Sequence, residues 1–219
     1  MSYLLFLSFV FGAMVGSFLN VLILRLPKEE DFIFKRSHCN NCKKVISWWE
    51  NIPIISFLFL RGKCSKCKTP ILIQYPIVEI IFGLISCIVF PKDISLISFY
   101  NYFFYFSVFS VFFVHFIIDL RHRILPDELN WYLFFLFLLH NIFHQKFAFW
   151  ISGFLIGLLF PAFVAYIFYK LKGVEGLGGG DIKLYGVLGL FLGPFGIIQN
   201  IFFSCFVGSI IGITMILFK

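Results

Sequence analysis

Apolar stretches about as long as a bilayer is thick recur along nearly all of this chain, and no other feature limits its fold so tightly. A helix needs about 20 apolar residues to cross the hydrocarbon core. The first such run, MSYLLFLSFVFGAMVGSFLNVLILRLP, fills residues 1–27. It has no basic start, and its apolar part is longer than the roughly 7–15 residues of a signal peptide core, so it reads as a retained membrane helix. Later runs place helices near 76–90, 99–118, 129–143, 148–170, 182–193 and 196–218. Only 13% of the 219 residues are charged, against about 25% in soluble domains, which excludes an ordinary soluble globule. The expected fold class is an all-α polytopic membrane protein with about seven transmembrane helices.

The positive charges orient that bundle. Ten of the eighteen Lys and Arg lie between the first two helices: Arg25, Lys28, Lys35, Arg36, Lys43, Lys44, Arg61, Lys63, Lys66 and Lys68. Loops rich in Lys and Arg stay in the cytoplasm, so the N-terminus is expected outside and residues 28–74 form a cytoplasmic insertion. Alternation then puts 119–128, 171–181 and the C-terminus inside, beside Arg121, Arg123, Lys170, Lys172, Lys183 and Lys219; the outer loops keep only Lys92 and Lys146. The net charge of +7 is thus chiefly an orientation signal, with a secondary affinity for anionic lipid. It is no argument for nucleic acid.

Within the insertion, HCNNCKK and KCSKCKT supply Cys39, Cys42, Cys64 and Cys67, two C-x2-C pairs separated by 21 residues. Such pairs can place four thiolates around one tetrahedral zinc ion. The rival is two disulfides, disfavoured in a reducing compartment. A segment this short has little core of its own, and a metal would supply what is missing. All four ligand positions are then filled, so the zinc is expected to be structural. Cys87 and Cys205 read as small buried side chains in apolar helices.

Two acids stand out where the apolar helices meet the cytoplasmic face. Asp119 in VHFIIDLRHRILPDELNW ends a helix, where the macrodipole disfavours negative charge; an ion pair with Arg121 or Arg123 is the plain alternative. Asp181 follows Gly176, Gly178, Gly179 and Gly180, which remove side chains ahead of it so that another backbone can approach or the loop can flex. Asp127, after Pro126, and Asp181 also have a reading as helix caps. GVEGLGGGDIKLYG contains neither a dinucleotide fingerprint nor a phosphate loop. Two carboxyls at one membrane face can share a proton, one activating water while the other polarises a peptide carbonyl. From the residues alone this aspartic proteolysis stands level with a proton relay or an ion-pair scaffold. A relay should spread ionisable groups across the bilayer, and the helices hold little besides His115 and His140. His115, one turn before Asp119, is within reach of it, against the commoner reading of a buried structural imidazole.

Taken together, VGSFLNVLILRLP (15–27), WWENIPIISFLFLRGKCSKC (48–67), YPIVE (75–79), DLRHRILPD (119–127) and GGGDIKL (178–184) resemble the type IV prepilin peptidase family. The resemblance implies Asp119 and Asp181 as catalytic acids, Asp181 belonging to a G-x-G-D motif, with Gly178, Gly180, Lys183 and Asp127 supporting the catalytic loop. It implies removal of a short basic leader from prepilin or pseudopilin precursors at the cytoplasmic face of the bacterial inner membrane. Methylation of the new N-terminus with S-adenosylmethionine as donor would follow, with zinc at Cys39, Cys42, Cys64 and Cys67 in the domain associated with that step. The expected organisation is a first helix at 1–27, a zinc domain at 28–74 and a peptidase core at 75–219. One departure falls at Gln74, where the family has arginine before Tyr75; another is the end of the chain soon after the seventh helix. A peptidase-only relative, and a zinc-scaffolded transporter or assembly protein, are the competing readings.

Overall fold

The computed structural model describes residues 2–218, and among them regular structure is helical. Seven α-helices follow one another: α1 Ser2–Arg25, α2 Ile55–Phe59, α3 Gln74–Val89, α4 Leu96–His122, α5 Asp127–His144, α6 Phe147–Lys172 and α7 Gly179–Leu217. By length and apolarity, α1 with its short extension to Lys28, α4, α6 and α7 are each able to cross a membrane, and α3 is a shorter apolar helix. The protein is an integral membrane protein. Apolar side chains such as Phe202, Phe203 and Met215 stay exposed, as expected where lipid takes the place of water.

The 39 residues of α7 would reach about 58 Å if straight, nearly twice the hydrocarbon thickness. The helix breaks at Gly193 (φ 68°, ψ −176°), directly before Pro194. Proline cannot donate to the helical ladder and biases its predecessor away from helical angles, and only glycine takes this positive φ easily. The two helices expected near 182–193 and 196–218 are therefore present and meet at this break, with the Tyr185 and Ser204 hydroxyls 2.6 Å apart between them.

The chain divides into two compact units, Met1–Arg123 and Ile124–Lys219. In the first, α1 turns small residues toward α3 at four-residue spacing: Ser8, Gly12, Gly16 and Asn20 are all buried. A side chain at Gly16 would meet Glu79 Cα at 2.9 Å, so the backbones approach as closely as small residues allow in membrane helices. The Ser86 hydroxyl donates to the Ser8 carbonyl (2.6 Å) and lies 2.6 Å from the Tyr102 hydroxyl. Phe82, fully buried, meets the Phe106, Phe109 and Phe113 rings of α4 at centroid distances of 6.0, 5.8 and 5.0 Å.

Two polar side chains fasten the insertion to these helices. The buried Arg25 guanidinium at the end of α1 donates to the carbonyls of Asp31, Lys35 and Arg36 at 2.9, 2.7 and 3.3 Å. The Glu79 carboxylate, buried on α3, accepts the Ile54 amide at 2.7 Å. Ile54 sits at φ 62°, a conformation costly for a β-branched residue, and that hydrogen bond helps to hold it.

In the second unit α6 and α7 make the most intimate contact. Gly153 and Gly189 face each other so closely that a side chain on either would enter the other's backbone. The buried Asn141 amide of α5 donates to the Leu190 carbonyl of α7 at 2.7 Å, and Phe137 stacks on Phe191 at 5.0 Å.

Candidate active site and metal centre

Each C-x2-C pair folds into the same small knuckle. In the first, the Cys39 amide donates to the Lys44 carbonyl (2.9 Å) and the Lys43 amide returns to the Cys39 carbonyl (3.0 Å). In the second, Cys64 donates to Thr69 (2.9 Å) and Lys68 to Cys64 (3.0 Å). Lys43 and Lys68 take matching positive φ values of 55° and 58°, and a single antiparallel bridge closes each knuckle, His38 to Val45 and Lys63 to Pro70.

The knuckles bring the four thiols within 4.8 Å of one another, with Cys39–Cys67 at 3.7 Å and Cys42–Cys64 at 4.0 Å. A tetrahedral ion with sulfur at about 2.3 Å requires S···S separations near 3.8 Å, so the donor set fits a metal, and all four cysteines are free of disulfides. The Thr69 hydroxyl, 2.7 Å from Cys67 Sγ, brings that thiol down to about 5 and so favours the thiolate. Beside the centre, Lys44 Nζ reaches Glu50 at 2.7 Å and Ser65 at 2.6 Å. That ammonium, with the Ser65 hydroxyl and the Ser47 amide, holds the Glu50 carboxyl at about 2.

Asp119 lies in the last turn of α4, exposed, and its carbonyl accepts the amide of Arg123, which closes the helix at φ 55°. Its carboxylate forms no ion pair among the described residues. Arg121 turns instead to Gln74 Oε1 at 2.7 Å, while Gln74 Nε2 donates to Asn20 at 3.2 Å. The glutamine thus accepts from Arg121, which an arginine at position 74 could not do. The imidazole of His115 is buried, and neither nitrogen has a hydrogen-bond partner among the described residues, Asp119 included.

Asp181 belongs to the second unit, half-buried in the first turn of α7, where the helix macrodipole favours a carboxylate. The N-cap is Gly178, not Asp181, and the Gly178 carbonyl accepts the Ile182 amide at 3.3 Å. The preceding glycines do different work. A side chain at Gly178 would stand 3.1 Å from Asp181 Oδ2, and one at Gly180 would stand 3.0 Å from Leu125 Cβ, whereas Gly179 opens on free space within 4 Å. An approach to Asp181 is therefore open at Gly179 and tight at its two neighbours.

Asp127 is not a cap either. Pro126 takes that place, and Asp127 binds Lys183 through both oxygens at 2.8 and 2.7 Å. The pair joins the first turns of α5 and α7, two residues from Asp181. Sequence reasoning missed Asn130, one turn further along α5, whose buried amide has no partner for either atom among the described residues. It also missed Asn20, Arg25 and Glu79 as buried polar anchors. A polar residue set at the period of an apolar helix face was the available signal.

These features define a class: a helical integral membrane protein with a four-cysteine cluster able to hold a metal ion and a glycine-preceded acid at the start of a membrane helix. The model of the bacterial peptidase A24 N-terminal domain matches residues 10–92, and that of the type IV leader peptidase family matches residues 106–213. A Myxococcus xanthus protein is 34% identical over 212 residues, covering 95% of this chain and 62% of its own length. A Xanthomonas campestris pv. campestris protein is 34% identical over 92% of this chain and 78% of its own. One from Stutzerimonas stutzeri is 33% identical over 95% and 80%. All three are named prepilin leader peptidase/N-methyltransferase. No solved structure matches. The chain belongs to the type IV leader peptidase family.

Proposed function

We propose that this protein removes the leader from prepilin-like precursors at the cytoplasmic face of the bacterial inner membrane and then methylates the new N-terminus. The observation that carries the reading is the tiling of the chain by the two family matches: the tetracysteine insertion falls wholly within the first, and Asp119 and Asp181 within the second.

In this reading Asp119 and Asp181 work as a pair that shares one proton. The ionised carboxylate takes a proton from water as the oxygen attacks the scissile carbonyl, while the protonated one donates to the carbonyl oxygen. Collapse of the tetrahedral species breaks the C–N bond, and the released amine takes up a proton. S-adenosylmethionine, when bound, would supply the methyl group that the released amine takes up. Gly178 and Gly180 hold the turn at Asp181, and Asp127 fixes Lys183 beside it. Zinc is the metal best suited to Cys39, Cys42, Cys64 and Cys67, where it would cross-link the two knuckles and give the 28–74 segment its fold. The topology is seven spans with the N-terminus outside, α7 contributing one span on each side of its break.

One experiment separates this reading from its competitors. Purified protein in detergent is mixed with a prepilin and S-adenosylmethionine labelled in its methyl group. Cleavage with label transfer is expected. Cleavage without label would leave a peptidase-only enzyme, and an uncut prepilin would end the assignment.

A further inference from the structure

Beyond Glu128 the chain holds only two acids, Glu175 and Asp181, and Glu175 lines a recess. This recess, of about 310 Å³, is walled by Tyr166 and Tyr169 on the last turns of α6 and by Glu175, and it is floored by Gly176, Gly179 and Ile182. Asp181 lies in sequence between the last two of these residues, so the recess adjoins the reacting acid without containing it.

Its chemistry is that of a cation receptor. Glu175 forms no ion pair among the described residues, although Lys170 and Lys172 lie in the last turn of α6 just before it. The nearest cation on α7, Lys183, is committed to Asp127. A carboxylate that lines the same recess as two tyrosines can attract an ammonium or guanidinium through charge and through a ring face, and tyrosine rings can cover the methylene stem of a long basic side chain. The volume is at the lower limit of small-molecule pockets, suited to one side chain. The position of the loop is fixed from beneath, since a Cβ on Gly176 would come within 2.5 Å of the Phe168 ring.

We propose that this recess is a specificity subsite which takes a lysine or arginine side chain of the precursor's cytoplasmic segment and so sets the register in which the scissile bond meets Asp181. Glu175 is the specificity-determining residue. The inference rests on the peptidase reading for the identity of its ligand, and its test is a binding measurement that needs no cleavage.

The probe is a series of membrane-inserted precursor peptides carrying one lysine, moved stepwise along an otherwise uncharged cytoplasmic segment. Binding is measured to full-length D181N protein in nanodiscs of uncharged phosphatidylcholine, so that lysine has no anionic lipid to follow. One or two registers should bind about tenfold tighter than the uncharged peptide. Adding E175Q should flatten that preference, and E175K should reverse it in favour of peptides with glutamate in the same register. Y169L, which leaves the carboxylate, should weaken it in part. Equal binding of every register, or an unchanged preference in E175Q, would overturn the proposal. Failure of the wild-type protein to cut any prepilin would instead strike the peptidase reading.

Discussion

Around the four cysteines, neighbouring polar groups find partners inside one short segment: amides close each knuckle, Thr69 serves Cys67, and Lys44 joins Glu50 to Ser65. The turn before α7 is built the other way. Asp181 sits behind glycines, with free space at Gly179, and the nearby Lys183 is held from a different helix. Under the proposed function, a structural metal centre gains from closing its contacts on itself, whereas an acid that meets a substrate needs a side left open. The tetracysteine cluster lies in the first compact unit and the turn before α7 in the second.

The contrast can be broken at the open site first. D119N and D181N should each lower leader removal by about a thousandfold or more, measured on a purified prepilin, while bound metal stays at the wild-type level. A mutant that still cuts normally would remove that residue from the chemistry. Next in size, serine at Cys39 and Cys67 should abolish bound metal by elemental analysis and make residues 28–74 protease-sensitive, with most leader removal kept. Equal loss of both activities would mean that the two regions are not separable.

A smaller effect is expected at the link between α5 and α7. Lys183 and Asp127 are about half-exposed, at 54% and 53%, so their pairing adds at most about 1 kcal/mol to stability. Its value is positional: K183M or D127N should slow cleavage by about tenfold, and the swap D127K/K183D should recover part of the loss. Wild-type rates in both single variants would make the pair a bystander.

The least effect concerns Glu50, whose folded value of about 2 lies below its ordinary 4.5. A carboxyl lowered on folding stabilises in full above its unfolded value and loses that contribution as pH falls through the folded one. The stability gap between wild type and E50Q should hold from pH 7 to about 5 and shrink below about 4.5, read by hydrogen exchange at Ser47 and Glu50. A gap that ignores pH would place the stabilisation elsewhere.

Helix positions were legible because apolarity persists along each span, but the ladders run further than the apolar runs. The helix expected at 99–118 extends over Leu96–His122, and that expected at 129–143 over Asp127–His144, since polar end turns keep helical bonds in the interfacial region. The cysteine cluster was legible from spacing alone, because a knuckle is local. The Asp127–Lys183 pair joins residues 56 apart, and Glu79 meets an amide 25 residues earlier; no local pattern encodes such pairings. The cap readings of Asp127 and Asp181 failed because Pro126 and Gly178 already start those helices.

Closure of the insertion across two distant knuckles has a consequence for biosynthesis. The first knuckle is complete once Lys44 has left the ribosome, but its partner ends at Thr69, 25 residues later by subtraction of their positions. At roughly 5–20 residues per second, the nascent chain waits about 1–5 s with two thiols exposed and no counterpart. In the folded chain Arg25 joins carbonyls as far as Arg36, so the half of the insertion that emerges first is also the half tied to the first helix.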